Sequence, residues 1–187
     1  MGAARNPDEH YTYEDYASWP MDERWEIIHG APYAMATPTE AHQRTVGEVS
    51  RQLSTFLLGK PCRAYIAPFS VRLNADDGDD IVVEPDVLVV CDRSKLADGK
   101  GVVGAPDFIM EVLSPSTVKH DTIRKFLLYQ SSGVREYWIA DPEEKFLVKY
   151  ILRDGKYMAT GHSADDASVP VDTLEGCAID LTLVFAE

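Results

Sequence analysis

Residues 104–142 read GAPDFIMEVLSPSTVKHDTIRKFLLYQSSGVREYWIADP, and no other part of the chain constrains the architecture as tightly. The run divides into strand, turn, helix and strand. Phe108 to Leu113 is almost continuously apolar, the pattern of a strand covered on both faces of a sheet. Ser114-Pro115-Ser116-Thr117 turns the chain into a helix expected from about Val118 to Ser132. There Ile123, Phe126 and Leu127 form the expected core stripe, while Asp121, Lys125 and Tyr129, each four apart, share another face with Leu128. Gly133 ends the helix, and Arg135 to Ala140 (REYWIA) is the next strand. One acid, Glu111, interrupts the first strand. An unpaired charge is costly at a buried position, so this conflict between pattern and charge marks where function is expected.

Working upstream, the conflict recurs. Ile81 to Cys91 reads as a strand with Pro85-Asp86 near its start, inside VVEPDVLVVCD at residues 82–92. By the two-residue period Asp86 shares a face with Leu88 and Val90, at the lip of a buried surface. Residues 92–106 read as a loop with a helical fragment. Cys62 to Leu73 (CRAYIAPFSVRL) is a further strand in which Pro68 suggests a bulge or an edge. The acidic turn NADDGDD, Asn74 to Asp80, lacks calcium-loop spacing and reads as a solvated hairpin loop. Thr37-Pro38-Thr39-Glu40 opens a helix, with Thr37 as N-cap and Pro38 first, and Val46, Val49, Leu53, Phe56 and Leu57 recur at helical spacing to about Leu58. His42 falls near that stripe, between a structural and an active-site role; Glu48 falls opposite and reads as solvated.

Arg24 to Ala36 reads as two short strands joined at Gly30, on which Glu26 is, from pattern alone, a solvent-facing acid. A short helix from Thr12 to Trp19 stops at Pro20, and residues 1–12 are expected to fray. Downstream, strand Phe146 to Leu152 and a tight turn at Asp154-Gly155 lead into short strands that run to Phe185. The class is α/β (α+β): a helix, three strands, a helix and a strand, with an extra N-terminal hairpin and C-terminal strands.

The 187 residues suit one domain, 1–187, with 45% hydrophobic and 26% charged residues. Cys62, Cys91 and Cys177 have no metal-ligand spacing and read as buried free thiols, which fits a reducing cytoplasm. No apolar run approaches the ~20 residues of a membrane span, and the N-terminus lacks a signal-peptide core. A net charge of −13 argues against a broad electrostatic footprint for nucleic acid. Contact with DNA then requires a local basic patch, a partner, or metal ions that offset the acids.

Carboxylates on neighbouring strands can hold Mg²⁺, which polarises a phosphoryl oxygen and acidifies a bound water. The combination PD at Pro85-Asp86, PDFIMEVLSPST, the Asp121/Lys125/Tyr129 helix and GVREYWIADP resembles the Uma2 (DUF820) family. So do RWEIIHG, the Pro-Thr-Glu-Ala-His helix start and the closing LEGCAIDL. That family is a branch of the restriction-endonuclease-like PD-(D/E)xK nucleases. The resemblance implies an αβββαβ core and a Mg²⁺- or Mn²⁺-dependent DNA endonuclease. Asp86, Glu111 and the Val112 carbonyl would be its metal ligands. Leu113 stands where the usual lysine would be, and Lys125 of the following helix would supply it. Glu26 would be an upstream acid orienting water, His42 and Tyr129 would line the site, and Asp121 would position Lys125. Two other readings stand beside this one: a catalytically silent binding or regulatory module, and a metal-dependent hydrolase of a smaller phosphate substrate. No membrane partner is expected. A homodimer is compatible with duplex-cutting enzymes that pair two sites.

Overall fold

The computed structural model describes residues 5–20, 22–96, 99–114 and 120–186, and for 120–122 the backbone alone. The chain opens with helix α1 (Tyr13–Ser18), the hairpin β1 (Trp25–Ile28) and β2 (Ala31–Ala34), and the long helix α2 (Glu40–Phe56). Strands β3 (Arg63–Ile66), β4 (Ser70–Arg72), β5 (Val82–Val83), β6 (Val87–Val90), β7 (Gly101–Val103) and β8 (Phe108–Val112) follow. Then come helix α3 (His120–Ser131), strands β9 (Glu136–Asp141), β10 (Phe146–Arg153), β11 (Lys156–Ser163), β12 (Val169–Pro170) and β13 (Ala178–Ile179), and the short helix α4 (Leu181–Val184).

Most strands belong to two sheets. The larger runs β11-β10-β9-β8-β6-β3, and the smaller runs β2-β1-β5-β4-β7. β8 and β9 pair in parallel, with α3 as the connection between them, while β3–β6 and β6–β8 are antiparallel. The expected order of helix, three strands, helix and strand is therefore present as α2, β3, β6, β8, α3 and β9.

Two strands read as continuous are each divided between the sheets. Cys62–Leu73 leaves the large sheet at the cis Ala67–Pro68 bond and resumes as β4 in the small one. Ile81–Cys91 begins as β5 in the small sheet and enters the large one after Glu84-Pro85-Asp86. Proline cannot donate to a ladder, so each run breaks at its proline. The breaks are tied together: Ala67 N–H donates to the Asp86 carbonyl at 3.2 Å. β7, inside the segment read as a loop, was not anticipated. It lies parallel to β4 with Gly101 beside Ser70, where a Cβ would sit 2.5 Å from the Ser70 carbonyl oxygen.

The two-residue period sorts the large sheet into two cores. Val87, Val89, Phe108, Met110, Trp138 and Ala140 face α2 and its Val46, Val49 and Leu53. Leu88, Val90, Ile109, Tyr137 and Ile139 face the other way, toward α3 and the small sheet. Glu111, two residues after Ile109, and Asp86, two before Leu88, belong to this second face.

Other expectations need correction. The N-cap of α2 is Thr39, whose hydroxyl accepts the His42 N–H at 3.2 Å, so Pro38 precedes the helix. On α3 the expected core stripe holds only at Phe126, which packs against Tyr150 and Tyr157: Ile123 and Leu127 are 67% and 55% exposed, whereas Leu128 and Tyr129 are buried. The helix turns inward the face carrying Lys125, Leu128 and Tyr129, because buried carboxylates opposite it require a cation and Tyr129 packs 5.0 Å from Tyr137. Cys62 and Cys91 are not free thiols but a disulfide. They lie just beyond the paired Arg63 and Val90 of the antiparallel β3–β6 ladder, which brings them opposite each other. Their reduction state therefore offers no argument for a compartment. Fraying is corrected from Arg5 on, since Tyr11 N–H donates to the Gly30 carbonyl and Arg5 reaches Glu23. Among the described residues, no helix is long and apolar enough to cross a membrane.

Candidate active site

Glu111 leaves β8 on the face covered by α3. Tyr129 donates to its Oε1 at 2.6 Å, and Lys125 Nζ donates to the same oxygen at 3.0 Å. Lys125 and Tyr129 reach one carboxylate because residues four apart stack on one helix face. Lys125 Nζ also donates to Glu26 Oε1 at 2.9 Å, across the gap between the sheets. Glu26 is thus corrected from a solvent-facing acid to a buried one; β1 is covered on both faces, and Glu26 Oε1 also accepts the Glu84 N–H at 2.9 Å.

Asp86 sits where the chain crosses between sheets. Its Oδ2 accepts the Val112 N–H at 2.8 Å and lies 3.1 Å from His42 Nε2. The side chains of Glu26, His42, Asp86, Glu111 and Lys125 are only 7–12% exposed, yet all border one cavity of about 110 Å³. Val112 borders it too, and Tyr129 reaches it through Glu111. Seven of the eight residues singled out from sequence therefore converge; the side chain of the eighth, Asp121, lies outside the described residues.

The ionisation states follow from this crowding. Burial, reinforced by Asp86 and Glu26, pushes the Glu111 carboxyl up to about 7, although Lys125 and the Tyr129 hydroxyl pull it back. Burial alone would discharge Lys125, but the Glu111 and Glu26 carboxylates outweigh it and raise its pKa, so the ammonium persists. Burial and then Glu111 keep Tyr129 well above the ordinary phenol value, so it remains a donor.

Among the described residues, no group of three His, Cys, Asp or Glu side chains forms a metal cage. The donors are instead two carboxylates that each keep one oxygen outside any protein hydrogen bond among the described residues: Asp86 Oδ1 and Glu111 Oε2. An all-oxygen set of this kind, with room left for water, suits a hard cation such as Mg²⁺ or Mn²⁺.

Three participants were not singled out from sequence. Glu84 is buried; its Oε1 accepts Tyr16 OH at 2.6 Å and its Oε2 accepts Arg24 Nε–H at 3.0 Å. Arg24 borders the cavity. Glu84 carried the same mark as Glu111, an acid interrupting an apolar run in VVEPDV. Burial and the Glu84 carboxylate raise the Tyr16 pKa, which keeps it a donor.

The Uma2 family model, described as "Putative restriction endonuclease", matches residues 13–182. The chain belongs to the Uma2 family. This Uma2 member also superposes on the crystal structure of "a putative nuclease belonging to DUF820" from Anabaena variabilis, with a TM-score of 0.76 over 94% of this chain and 98% of that one. At 19% identity the likeness speaks for a shared fold. No curated protein matches the chain at significant similarity.

Proposed function

We propose that this Uma2 member is a metal-dependent DNA endonuclease that hydrolyses phosphodiester bonds at the cavity between the two sheets. The observation that carries the reading is Lys125 Nζ, held between Glu26 and Glu111 in the cavity that Asp86 also borders. Asp86, Glu111 and the Val112 carbonyl would hold Mg²⁺ or Mn²⁺, which when bound supplies Lewis acidity at the phosphoryl oxygen and an acidified water. His42 and the Val112 N–H hold one Asp86 oxygen, so that the other would be available to such an ion. Tyr129 does the same for Glu111. Lys125 keeps its charge and stabilises negative charge developing on the attacked phosphate, while Glu26 orients it and the incoming water. Supercoiled plasmid should be nicked with Mg²⁺ or Mn²⁺ and left intact with EDTA. A folded protein inert in both metals sinks the proposal.

The acidity of the site favours a second reading. A cavity bordered by Glu26, Asp86 and Glu111, in a chain of net charge −13, suits a small phosphate ester as well as a duplex. Hydrolysis of bis(p-nitrophenyl) phosphate without plasmid nicking would select this reading.

The metal proposal carries a pH consequence. Ligation requires the carboxylate, and Glu111 holds its proton up to about 7. Mn²⁺ binding should therefore release a proton at mildly acid pH, and affinity should rise until pH passes about 7. Calorimetry in buffers of different ionisation enthalpy counts the proton. A flat affinity across this window removes Glu111 from the ligand set.

A further inference from the structure

We propose that Arg24 is a substrate-contacting residue, whose guanidinium, clamped from behind by buried Glu84, donates to a non-bridging oxygen of the phosphodiester at Asp86 and Glu111. This rests on the phosphodiester reading above and adds the group that recognises the anion. The difficulty it answers is electrostatic. Glu26, Asp86 and Glu111 make the cavity wall acidic, and the Lys125 ammonium is already engaged by two of them. A divalent cation at Asp86 and Glu111, together with that ammonium, would only balance the three carboxylates, so an incoming phosphodiester gains from a further cation.

Arg24 is placed to do so. It borders the cavity, and its side chain is 31% exposed. Its carboxylate partner, Glu84, lies behind it and is buried. Arg24 Nε donates to Glu84 Oε2 at 3.0 Å, and Nη2 lies 2.9 Å from the same oxygen. The other oxygen of Glu84 is occupied by Tyr16 OH at 2.6 Å. Clamp and guanidinium are therefore oriented before any ligand arrives. The backbone is fixed as well, since the Arg24 carbonyl accepts the Met35 N–H at 3.0 Å.

The guanidinium nevertheless keeps one nitrogen in reserve. Nη2 is buried against Glu84 Oε2, whereas Nη1 makes no hydrogen bond among the described residues. A residue present only to neutralise Glu84 would have no need to border the cavity with Nη1 unused. The planar fork of arginine matches paired phosphate oxygens, which a lysine ammonium meets as a point charge.

The test is binding of thymidylyl-thymidine, the smallest DNA phosphodiester, by NMR titration in Ca²⁺ to suppress cleavage. Arg24→Gln should weaken it about tenfold to a hundredfold, the range of one charge-assisted contact, and Arg24→Lys should restore part of the loss. The neutral methylphosphonate analogue should bind wild type worse than the natural dinucleotide, and this penalty should be clearly smaller in Arg24→Gln. That loss of discrimination is one a merely structural Arg24 would not produce. If Arg24→Gln fails to fold because Glu84 is stranded, Arg24→Lys carries the comparison. Unchanged binding in the variants, equal penalties for the analogue in both proteins, or no binding by wild type each overturn the inference. Plasmid nicking separates the failures: nicking by wild type with unaffected variants removes Arg24 alone. Dinucleotide binding without nicking removes the nuclease reading and leaves the phosphodiester site.

Discussion

Glu111→Ala should lower metal-dependent plasmid nicking by at least about a thousandfold while leaving a folded protein. Loss of a single preorganised electrostatic group typically costs ~10²–10³ in rate, and this substitution removes a metal ligand besides. The fold should survive because Glu111 is a burden to it at neutral pH. Its carboxyl ionises near 7 in the folded chain against 4.5 ordinarily. A raised acid pKa means that the favourable contribution is complete below the ordinary value and disappears as pH rises through the folded one. The difference corresponds to roughly 3 kcal/mol lost once pH exceeds about 7. Against this, the variant strands the Tyr129 hydroxyl at a cost of ~1–3 kcal/mol, while Lys125 keeps Glu26 at 2.9 Å. The variant should accordingly melt close to wild type at mildly alkaline pH and clearly below it in mild acid. Thermal melts across that window check the stability half, and gels check the activity. Nicking that survives the substitution places the chemistry elsewhere or in a contaminant.

The sequence exposes the site better than it exposes the path of the chain that builds it. Glu111 and Asp86 are visible because acids interrupt apolar strands, and their faces follow from the two-residue period. The division of Ile81–Cys91 between two sheets is not visible, since Pro85 is compatible with an edge, a bulge or a crossover, and only the pairing of β5 with β1 and β4 selects among them. This crossover gives Asp86 its position. Glu26 misleads for a related reason: alternation in Trp25-Glu26-Ile27 implies one wet face, whereas β1 is covered on both faces. On α3 the apolar residues Ile123 and Leu127 outcompete a lysine when a core stripe is chosen by hydropathy, and the choice reverses once two buried carboxylates oppose Lys125. The family resemblance supplied that reversal for the site but not for the stripe. A charged helix residue cannot be assigned to solvent until the charges it will meet are known.

Lys125→Met should be the most destabilising single change at the site, and the damage should depend on pH. Lys125 offsets Glu26 at 2.9 Å and Glu111 at 3.0 Å, both nearly buried. Breaking a buried ion pair from one side typically costs ~3–5 kcal/mol, because the surviving charge is left uncompensated. In wild type the lysine pKa is raised, so its contribution is complete below the ordinary value of 10.5 and is lost only above the still higher folded value. Throughout the neutral range the wild type therefore keeps all of it. The variant can recover only by protonating its carboxylates. Removing the lysine also removes the principal influence lowering the Glu111 pKa, so Glu111 should take up its proton above the wild-type value of about 7. Its contribution is then present in acid and lost as pH rises through that higher value. The stability gap between the two proteins should be widest at alkaline pH and narrow on acidification. Urea unfolding at several pH values measures this, and a gap constant with pH would reduce Lys125 to a packing residue. Nicking should be lost at every pH: in acid a protonated Glu111 rescues the fold at the expense of the ligand, and in alkali the ligand returns without the ammonium that stabilises the attacked phosphate. That separation of stability from activity within one variant is what a charge held for catalysis predicts and a charge held for packing does not.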